Sequence, residues 1–167
     1  MPETKPCPEA HRRLIDRLRI QASDVHRLTE GLHENHLAKR VIPDHWSLKE
    51  LVCHVQRVQQ VYIHDRLEAV LQRDNPELVA YYPENDPLFE KLIERPADET
   101  IAAYLEERQG LIARLEKLTP EQWHRPGRHA VYPESDAYSL AEYCAHHEAH
   151  HIYQMFQRRA LIGRVPG

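Results

Sequence analysis

Apolar residues recur at steps of three and four along four long stretches of the chain, as they do on one face of an α-helix. The first stretch begins near Glu9, and the second follows Ser47 and extends to about Gln72. The third begins near Asp98, and the fourth extends to about Leu161. The pattern predicts four amphipathic helices with these apolar stripes: Leu14, Leu18, Val25, Leu28 and Leu32; Leu51, Val55, Val58, Tyr62 and Leu67; Ile101, Leu105, Ile112, Leu115 and Leu118; Leu140, Cys144, His147, His151 and Met155.

Two short sequences of the capping-box type mark helix starts, residues 47–50 (SLKE) and residues 139–142 (SLAE). In such a box the serine side chain accepts a hydrogen bond from a free backbone amide, and the glutamate reaches back to the serine. Each serine follows an aromatic residue, and a histidine lies seven residues after it, at His54 and His146. This parallel predicts a degenerate helix-loop-helix repeat that relates the two halves of the chain.

The segment between the second and third helices, residues 73–98, carries four turn signals that each contain a proline. One short helical turn is predicted within it, over residues 88–93. A segment of this length can connect opposite ends of a helical bundle. Because no stretch alternates convincingly as a strand does, the sequence predicts an all-α four-helix bundle with a long helix 2–helix 3 crossover, in a single domain over residues 1–167.

The composition argues against several classes of function. The net charge is −4, from 22 basic and 26 acidic residues, so no excess of positive charge favours nucleic acid. No apolar run approaches the roughly 20 residues of a membrane-spanning helix, and the start of the chain lacks the apolar core of a signal peptide. The 3 cysteines are widely spaced, which suits a reducing cytosol better than a disulfide framework. We therefore expect a cytoplasmic protein that binds neither nucleic acid nor membrane.

The fourth helix contains the main chemical signal, the sequence HHEAHH at residues 146–151. His147 and His151 are four residues apart, so they project from one side of the helix, along a stripe that is otherwise mostly apolar. Two imidazoles that face an apolar interior are well placed to bind a transition metal. On the second helix, His54 lies between Leu51 and Val58 of the apolar stripe, which makes it the best third ligand.

Several alternatives stay open at this point. If the last helix were rotated, His146 and His150 would form the inward pair. An open three-histidine site can activate a bound water or thiol, and Glu148 could then act as acid or base, orient a ligand or simply be solvated. Residues 147–151 also match the H-E-x-x-H pattern of zinc metallopeptidases, in which Glu148 would be the base, but no strand is predicted that could bind a peptide.

A third alternative is a metal that only stabilises the bundle. A structural zinc normally has four protein ligands, so this interpretation needs a fourth. Cys144 lies one turn before His147 and could approach the site, whereas Cys53 is adjacent to His54 and so points elsewhere on its helix. A fully occupied coordination sphere would favour this alternative, and an open position would favour an enzyme.

The motifs together resemble the DinB/YfiT-like family of metal-binding four-helix bundles. The family pattern is Trp-Ser-x-x-Glu followed by histidine on the second helix, and His-x-x-x-His, often followed by glutamine, on the fourth. Residues 46–50 (WSLKE) with His54 match the first part, and His147, His151 and Gln154 match the second. The resemblance covers nearly the whole chain and implies that His54, His147 and His151 bind a divalent metal, chiefly zinc or nickel.

The resemblance also implies a reaction class. Family members resemble metal-dependent thiol S-transferases, and many form homodimers. We therefore expect a small-molecule substrate, a low-molecular-weight thiol cosubstrate and a homodimer. These expectations come from the resemblance alone.

Overall fold

The computed structural model describes residues 8–163, and its long helices are those that the apolar stripes predict. The helices in chain order are α1 Pro8–Thr29, α2 Glu34–Ala38, α3 Leu48–Val61, α4 Glu68–Gln72, α5 Pro87–Glu94, α6 Ala97–Glu116, α7 Pro120–Trp123 and α8 Ala137–Ile162. A π-helical turn, Tyr62–Leu67, joins α3 to α4 without a break. The second predicted helix is therefore continuous from Leu48 to Gln72, and the predicted four-helix bundle is confirmed.

The bundle is held by its apolar faces. Helix α1 packs against α6 and α8, and α3 packs against the same two helices. One buried cluster includes Leu18 and Leu115, and a second includes Leu48, Val52 and Met155 nearer the other end. Burial of these side chains is the main stabilising contribution, at about 1.5–3 kcal/mol for each large one. No helix within residues 8–163 combines the length and the apolar character that crossing a bilayer requires.

The crossover between α4 and α6 contains structure that the sequence pattern does not reveal. It carries the strand β1 Glu77–Leu78, a 3-10 turn and the two-turn helix α5, which is longer than the single turn predicted. β1 pairs in parallel with β2 Pro126–His129, and β2 pairs antiparallel with β3 Ser135–Asp136. The prediction that the chain has no strand is therefore wrong. Strands of two to four residues are too short to show a period-two alternation.

The two predicted capping boxes have different outcomes. Ser47 caps α3 as predicted, since its side chain accepts from the Glu50 amide and Glu50 reaches back. At α8 the cap is Asp136, whose carboxylate accepts from the Ser139 amide at 2.8 Å, so the predicted box at residues 139–142 is wrong. Aspartate is as good a cap as serine, and it lies three residues earlier. The two serines therefore occupy different positions in their helices, which limits the parallel between the two halves.

Gly127 allows the small sheet to lie directly on the bundle. A β-carbon at this position would lie 2.7 Å from Val70 Cγ1 and 3.0 Å from Leu78 Cδ1, closer than packed carbon atoms tolerate. Gly127→Ala is expected to lower the free energy of unfolding by about 1–3 kcal/mol, as overpacking typically does. Chemical denaturation would measure the change.

A matched control is available on α6. At Gly110 an added β-carbon meets nothing within 4 Å, so Gly110→Ala is expected to be stabilising, by about 1 kcal/mol. Equal effects of the two substitutions would contradict the close approach at Gly127.

Candidate metal centre

Three predicted histidines meet between α3 and α8. His54 comes from α3, and His147 and His151 come from successive turns of α8. The His147 Nε2 atom lies 3.2 Å from His54 Nε2 and 3.1 Å from His151 Nε2. The ligand atoms of the three residues all lie within 4.8 Å of one another. The structure therefore brings together residues that are 93 positions apart, as the apolar stripes of the two helices predict.

The arrangement of the nitrogens fits a divalent metal. Nitrogens that each lie about 2.1 Å from one zinc ion in tetrahedral directions are roughly 3.4 Å apart. The two measured separations, 3.1 and 3.2 Å, are close to that value. A neutral imidazole carries one ring proton, so His147 Nε2 cannot donate to both of its neighbours. His147 Nε2 can therefore donate a proton to His54 Nε2 or to His151 Nε2, but not to both. A cation shared by the three Nε2 atoms would instead accept a lone pair from each of them.

The histidines are held in the form that binds metal. Burial, followed by the proximity of His151 and His147, lowers the pKa of His54 to about 3. Burial and the neighbouring His151 likewise lower the pKa of His147 to about 4, and burial lowers the pKa of His151. Metal binding requires neutral imidazole, and protonated ligands compete with it. At neutral pH all three side chains are therefore available as ligands.

Contacts around the cluster fix the orientation of the rings. The amide oxygen of Gln154 can only accept, so His151 Nδ1 donates to it, at 2.7 Å, and the lone pair of His151 lies on Nε2. The indole of Trp46 packs on His54 with ring centroids 4.8 Å apart, and Tyr143 stacks on His147 at 6.2 Å. Among residues 8–163, the buried Nδ1 atoms of His54 and His147 have no hydrogen-bond partner.

A cavity of about 190 Å³ opens on the three histidines. Tyr81 of the crossover lines it. Arg66 also lines it, and no sequence pattern had singled out this residue. The remaining walls are mostly apolar or aromatic: Trp46, Val58, Val61, Pro83 and Tyr143. The site therefore combines metal-ligating nitrogens, one cationic group and an apolar surround.

Glu148 is not solvated, contrary to one of the open interpretations. It is buried, and its carboxylate accepts from Arg108 Nη1 at 3.0 Å, from Arg108 Nη2 at 2.5 Å and from the Tyr104 hydroxyl at 2.9 Å. Arg108 also donates to Gln59 Oε1 at 2.6 Å and to the Leu18 carbonyl at 2.8 Å. Glu148 is not among the residues that line the cavity. Its expected role as an acid or base stays a prediction.

The alternative inward pair is excluded by the burial of α8. His146 and His150 are exposed, and His146 lies 3.1 Å from the Glu142 carboxylate at the surface. The fourth ligand that a structural metal would need is absent from the cluster, because within residues 8–163 only the three histidines form a group that could hold a metal ion. Cys53 and Cys144 are buried, and burial raises the pKa of each thiol to about 12, which disfavours a thiolate ligand.

Comparisons with known proteins agree with this architecture. The chain is similar to YfiT from Bacillus subtilis, which is described as a probable metal-dependent hydrolase with an unusual four-helix bundle topology. The two chains are 18% identical over 99% of this chain and 94% of YfiT, with a TM-score of 0.81, so the likeness shows a common fold. No curated protein matches the chain. The family model of the DinB superfamily matches residues 17–155, most of the chain, and the protein therefore belongs to the DinB superfamily.

Proposed function

We propose that the protein is a divalent-metal-dependent enzyme that acts on a small molecule, with His54, His147 and His151 as the metal ligands. The observation that carries the proposal is the convergence of three neutral Nε2 atoms at the wall of a cavity. A bound divalent metal with an open position would lower the pKa of a water or thiol and so supply a nucleophile near neutral pH. Zinc and nickel, the metals that the family resemblance implies, are both among those that imidazole ligands suit.

The other residues of the site hold the ligands and shape the cavity. Gln154 orients His151, and Trp46 limits the rotation of His54. The Tyr81 hydroxyl donates to Asp86 Oδ2 at 2.9 Å, and Arg57 Nε donates to the same oxygen at 2.7 Å. Burial alone would raise the pKa of Asp86, but the hydrogen bonds from Arg57 and Tyr81 lower it. Asp86 is therefore ionised at neutral pH and holds the crossover, with Tyr81, against α3.

The nucleophile that the site activates defines the reaction class. A thiol would make the protein an S-transferase, as the sequence resemblance implies, and water would make it a hydrolase. The metallopeptidase alternative is less favoured, because both oxygens of Glu148 accept hydrogen bonds from Arg108 or Tyr104. A purely structural metal is less favoured because the cluster has three protein ligands where structural zinc has four.

Elemental analysis of protein purified without a histidine tag would test the metal site. Wild type is expected to contain close to one zinc or nickel ion per chain. Substitution of any one ligand, in His54→Ala, His147→Ala or His151→Ala, is expected to reduce that content to near zero. His150→Ala is the matched control, because this exposed histidine is adjacent to a ligand but outside the cluster.

Two results would contradict the proposed site. One is a well-folded wild type that binds neither metal after incubation with zinc or nickel salts. The other is unchanged metal content in His54→Ala, since that ligand alone connects α3 to the cluster. Circular dichroism of each variant would separate loss of metal from loss of fold.

The hydrogen bond between Gln154 and His151 gives a second, smaller prediction. Gln154→Leu removes the acceptor that holds His151 Nδ1–H, so the ring is free to rotate and its Nε2 is a weaker ligand. Metal affinity is expected to fall by about 10- to 100-fold, as measured by competition with a chromophoric chelator. Gln157→Leu, one turn further along α8, is expected to leave the affinity unchanged. Equal affinities of the two variants would show that Gln154 does not orient the ligand.

A further inference from the structure

Arg66 is a buried cation that no acidic side chain of residues 8–163 pairs with. The residue is 4% exposed, and its enclosed Nε has no hydrogen-bond partner among the described residues. None of the ion pairs within residues 8–163 includes it. Its contact with the Tyr143 ring, 5.6 Å from the centroid, is a cation–π interaction and satisfies no N–H group. Leaving a buried charge in this state is costly, so the residue calls for an explanation.

The environment of Arg108, another buried arginine, differs from that of Arg66. Arg108 is equally buried, but Glu148, Gln59 and a backbone carbonyl accept from its guanidinium. The fold therefore pairs the guanidinium of Arg108 with a carboxylate, whereas Arg66 lines the cavity that contains the three histidines. Arginine stays protonated at neutral pH even when buried, so Arg66 contributes a positive charge to that cavity.

The backbone of the helix places Arg66 there. His54, Val58 and Val61 line the cavity at steps of four and three along α3, and Arg66 follows at a step of five. That step falls within the π-helical turn, in which the Glu68 amide donates to the Ile63 carbonyl five residues earlier. Such turns are rare and often lie at functional sites. Here the turn brings a cation onto the same wall as a metal ligand.

We infer that the substrate of this site carries a carboxylate, which binds the Arg66 guanidinium while the reacting part of the molecule lies at the three histidines. This assignment of substrate class rests on the proposed function. The planar guanidinium matches a carboxylate in a two-point hydrogen bond, which no other side chain of the cavity offers. The apolar and aromatic walls suit the rest of the molecule.

The size of the cavity limits the acid. Its volume is about 190 Å³, whereas pockets for drug-sized ligands have about 300–1,000 Å³. The cavity is equivalent to roughly six water molecules at about 30 Å³ each. A short-chain organic acid fits this space, whereas only the reacting end of a larger thiol cosubstrate could enter it.

Butyrate and its neutral isostere butyramide are suitable probes. NMR chemical-shift titration of the side-chain Nε–H of Arg66 would measure the affinity of each, in zinc-loaded and in chelator-treated protein. Wild type is expected to bind butyrate about 10- to 100-fold more tightly than butyramide, as a charge-assisted hydrogen bond implies. The preference is expected to persist in chelator-treated protein, because Arg66 and not the metal recognises the carboxylate.

Variants identify the guanidinium as the source of the preference. In Arg66→Met, backbone shifts around the cavity are expected to report butyrate binding as weak as that of butyramide, with unchanged metal content. Arg66→Lys keeps the charge but loses the planar fork, so intermediate binding is expected. Arg73→Met, an exposed arginine outside the cavity, is the matched control and is expected to bind as wild type does.

The melting temperature of Arg66→Met shows whether Arg66 serves ligand binding or the stability of the fold. Because Arg66 is an uncompensated buried charge, Arg66→Met is expected to raise the melting temperature or leave it unchanged. A clear fall in melting temperature would mean that the charge stabilises the fold and would overturn the inference. Wild-type titrations keep the test valid even if a variant fails to fold.

The remaining outcomes are also decisive. Equal affinities of wild type for butyrate and butyramide, or tighter binding of inorganic phosphate than of butyrate, would overturn the carboxylate assignment. Unchanged butyrate affinity in Arg66→Met would do the same. Wild type that binds no metal even after incubation with zinc or nickel salts, but keeps an Arg66-dependent preference for butyrate, would contradict the proposed metal enzyme and support the acid-binding cavity. Wild type that binds metal but shows no preference for butyrate would support the metal enzyme and contradict the acid-binding cavity.

Discussion

Replacing Glu148 with alanine is expected to lower the free energy of unfolding by about 3–5 kcal/mol, the largest effect of any single substitution considered for this chain. Within residues 8–163 the carboxylate is the only acidic partner of Arg108, and both side chains are almost fully enclosed between α6 and α8. Its removal leaves a guanidinium charge in the core and also deprives the Tyr104 hydroxyl of its acceptor. Urea denaturation of Glu148→Ala and wild type, both without metal, would measure the loss.

Two further variants test the cause of this loss. Glu142→Ala removes a glutamate of the same helix that pairs with Arg17 in a partly exposed position, and it is expected to cost at most about 1 kcal/mol. The double variant Arg108→Met with Glu148→Leu removes both charges and is expected to recover most of the stability, because apolar side chains of similar size often replace a buried pair without loss. A double variant as unstable as Glu148→Ala would show that packing, and not the uncompensated charge, explains the effect.

Zinc is expected to stabilise the protein by about 4 kcal/mol when its free concentration is 1,000 times the dissociation constant. The ligands come from α3 and α8, which are distant in sequence, so the unfolded chain cannot present them together. For a chain of this size the gain corresponds to a rise of roughly 8–16 °C in melting temperature. Differential scanning calorimetry, with metal-free protein as the reference, would measure the shift.

The stabilisation must depend on the three imidazoles. His54→Ala is expected to show little or no shift with zinc, whereas His150→Ala is expected to shift as wild type does. If zinc raised the melting temperature of His54→Ala as much as that of wild type, the metal would have to bind elsewhere on the chain. Excess chelator is expected to return wild type to the melting temperature of the metal-free protein, provided that the unfolded chain binds zinc weakly.

The long helices of the fold could be predicted from the sequence, but the short elements could not. Apolar stripes of five residues specify a helix and its buried face, as for α3 and its cap at Ser47. The strands pair residues such as Glu77 and Arg128, and no local pattern records a contact between positions so far apart. The start of α8 was misplaced because Asp136 and Ser139 are both good caps, and only the backbone decides between them.

The convergence of the three histidines could be predicted because they share one helical period with the apolar core. His147 and His151 lie on the stripe of α8, and His54 lies beside the stripe of α3, so the packing of the two helices brings them together. Glu148 could not be placed in this way. Its partner, Arg108, is on another helix, and the H-E-x-x-H pattern suggests a catalytic base where the fold has a buried ion pair.

Arg66 was missed, although a signal was present in the stripe itself. The step from Tyr62 to Leu67 is five residues, one more than an α-helix allows for neighbours on one face. A step of five indicates a π-helical turn, and such a turn rotates the residue before Leu67, which is Arg66, toward the interior. Unequal steps in an otherwise regular apolar stripe are therefore informative, particularly next to a ligand.

The π-helical turn also suggests how substrate choice can change within this bundle. In an uninterrupted α-helix, the residue after Val61 on the cavity wall would be Asp65, which is exposed here. Such a turn accommodates one extra residue locally. Loss of one residue from positions 62–65 would leave Arg66 four residues after Val61 and so still on the cavity wall, whereas loss of Arg66 itself would bring Asp65 there. After loss of Arg66 itself, the same cavity would present an acid where it now presents a base. We expect a relative with that deletion to select amines, so that an insertion or deletion of one residue reverses the charge preference of the site.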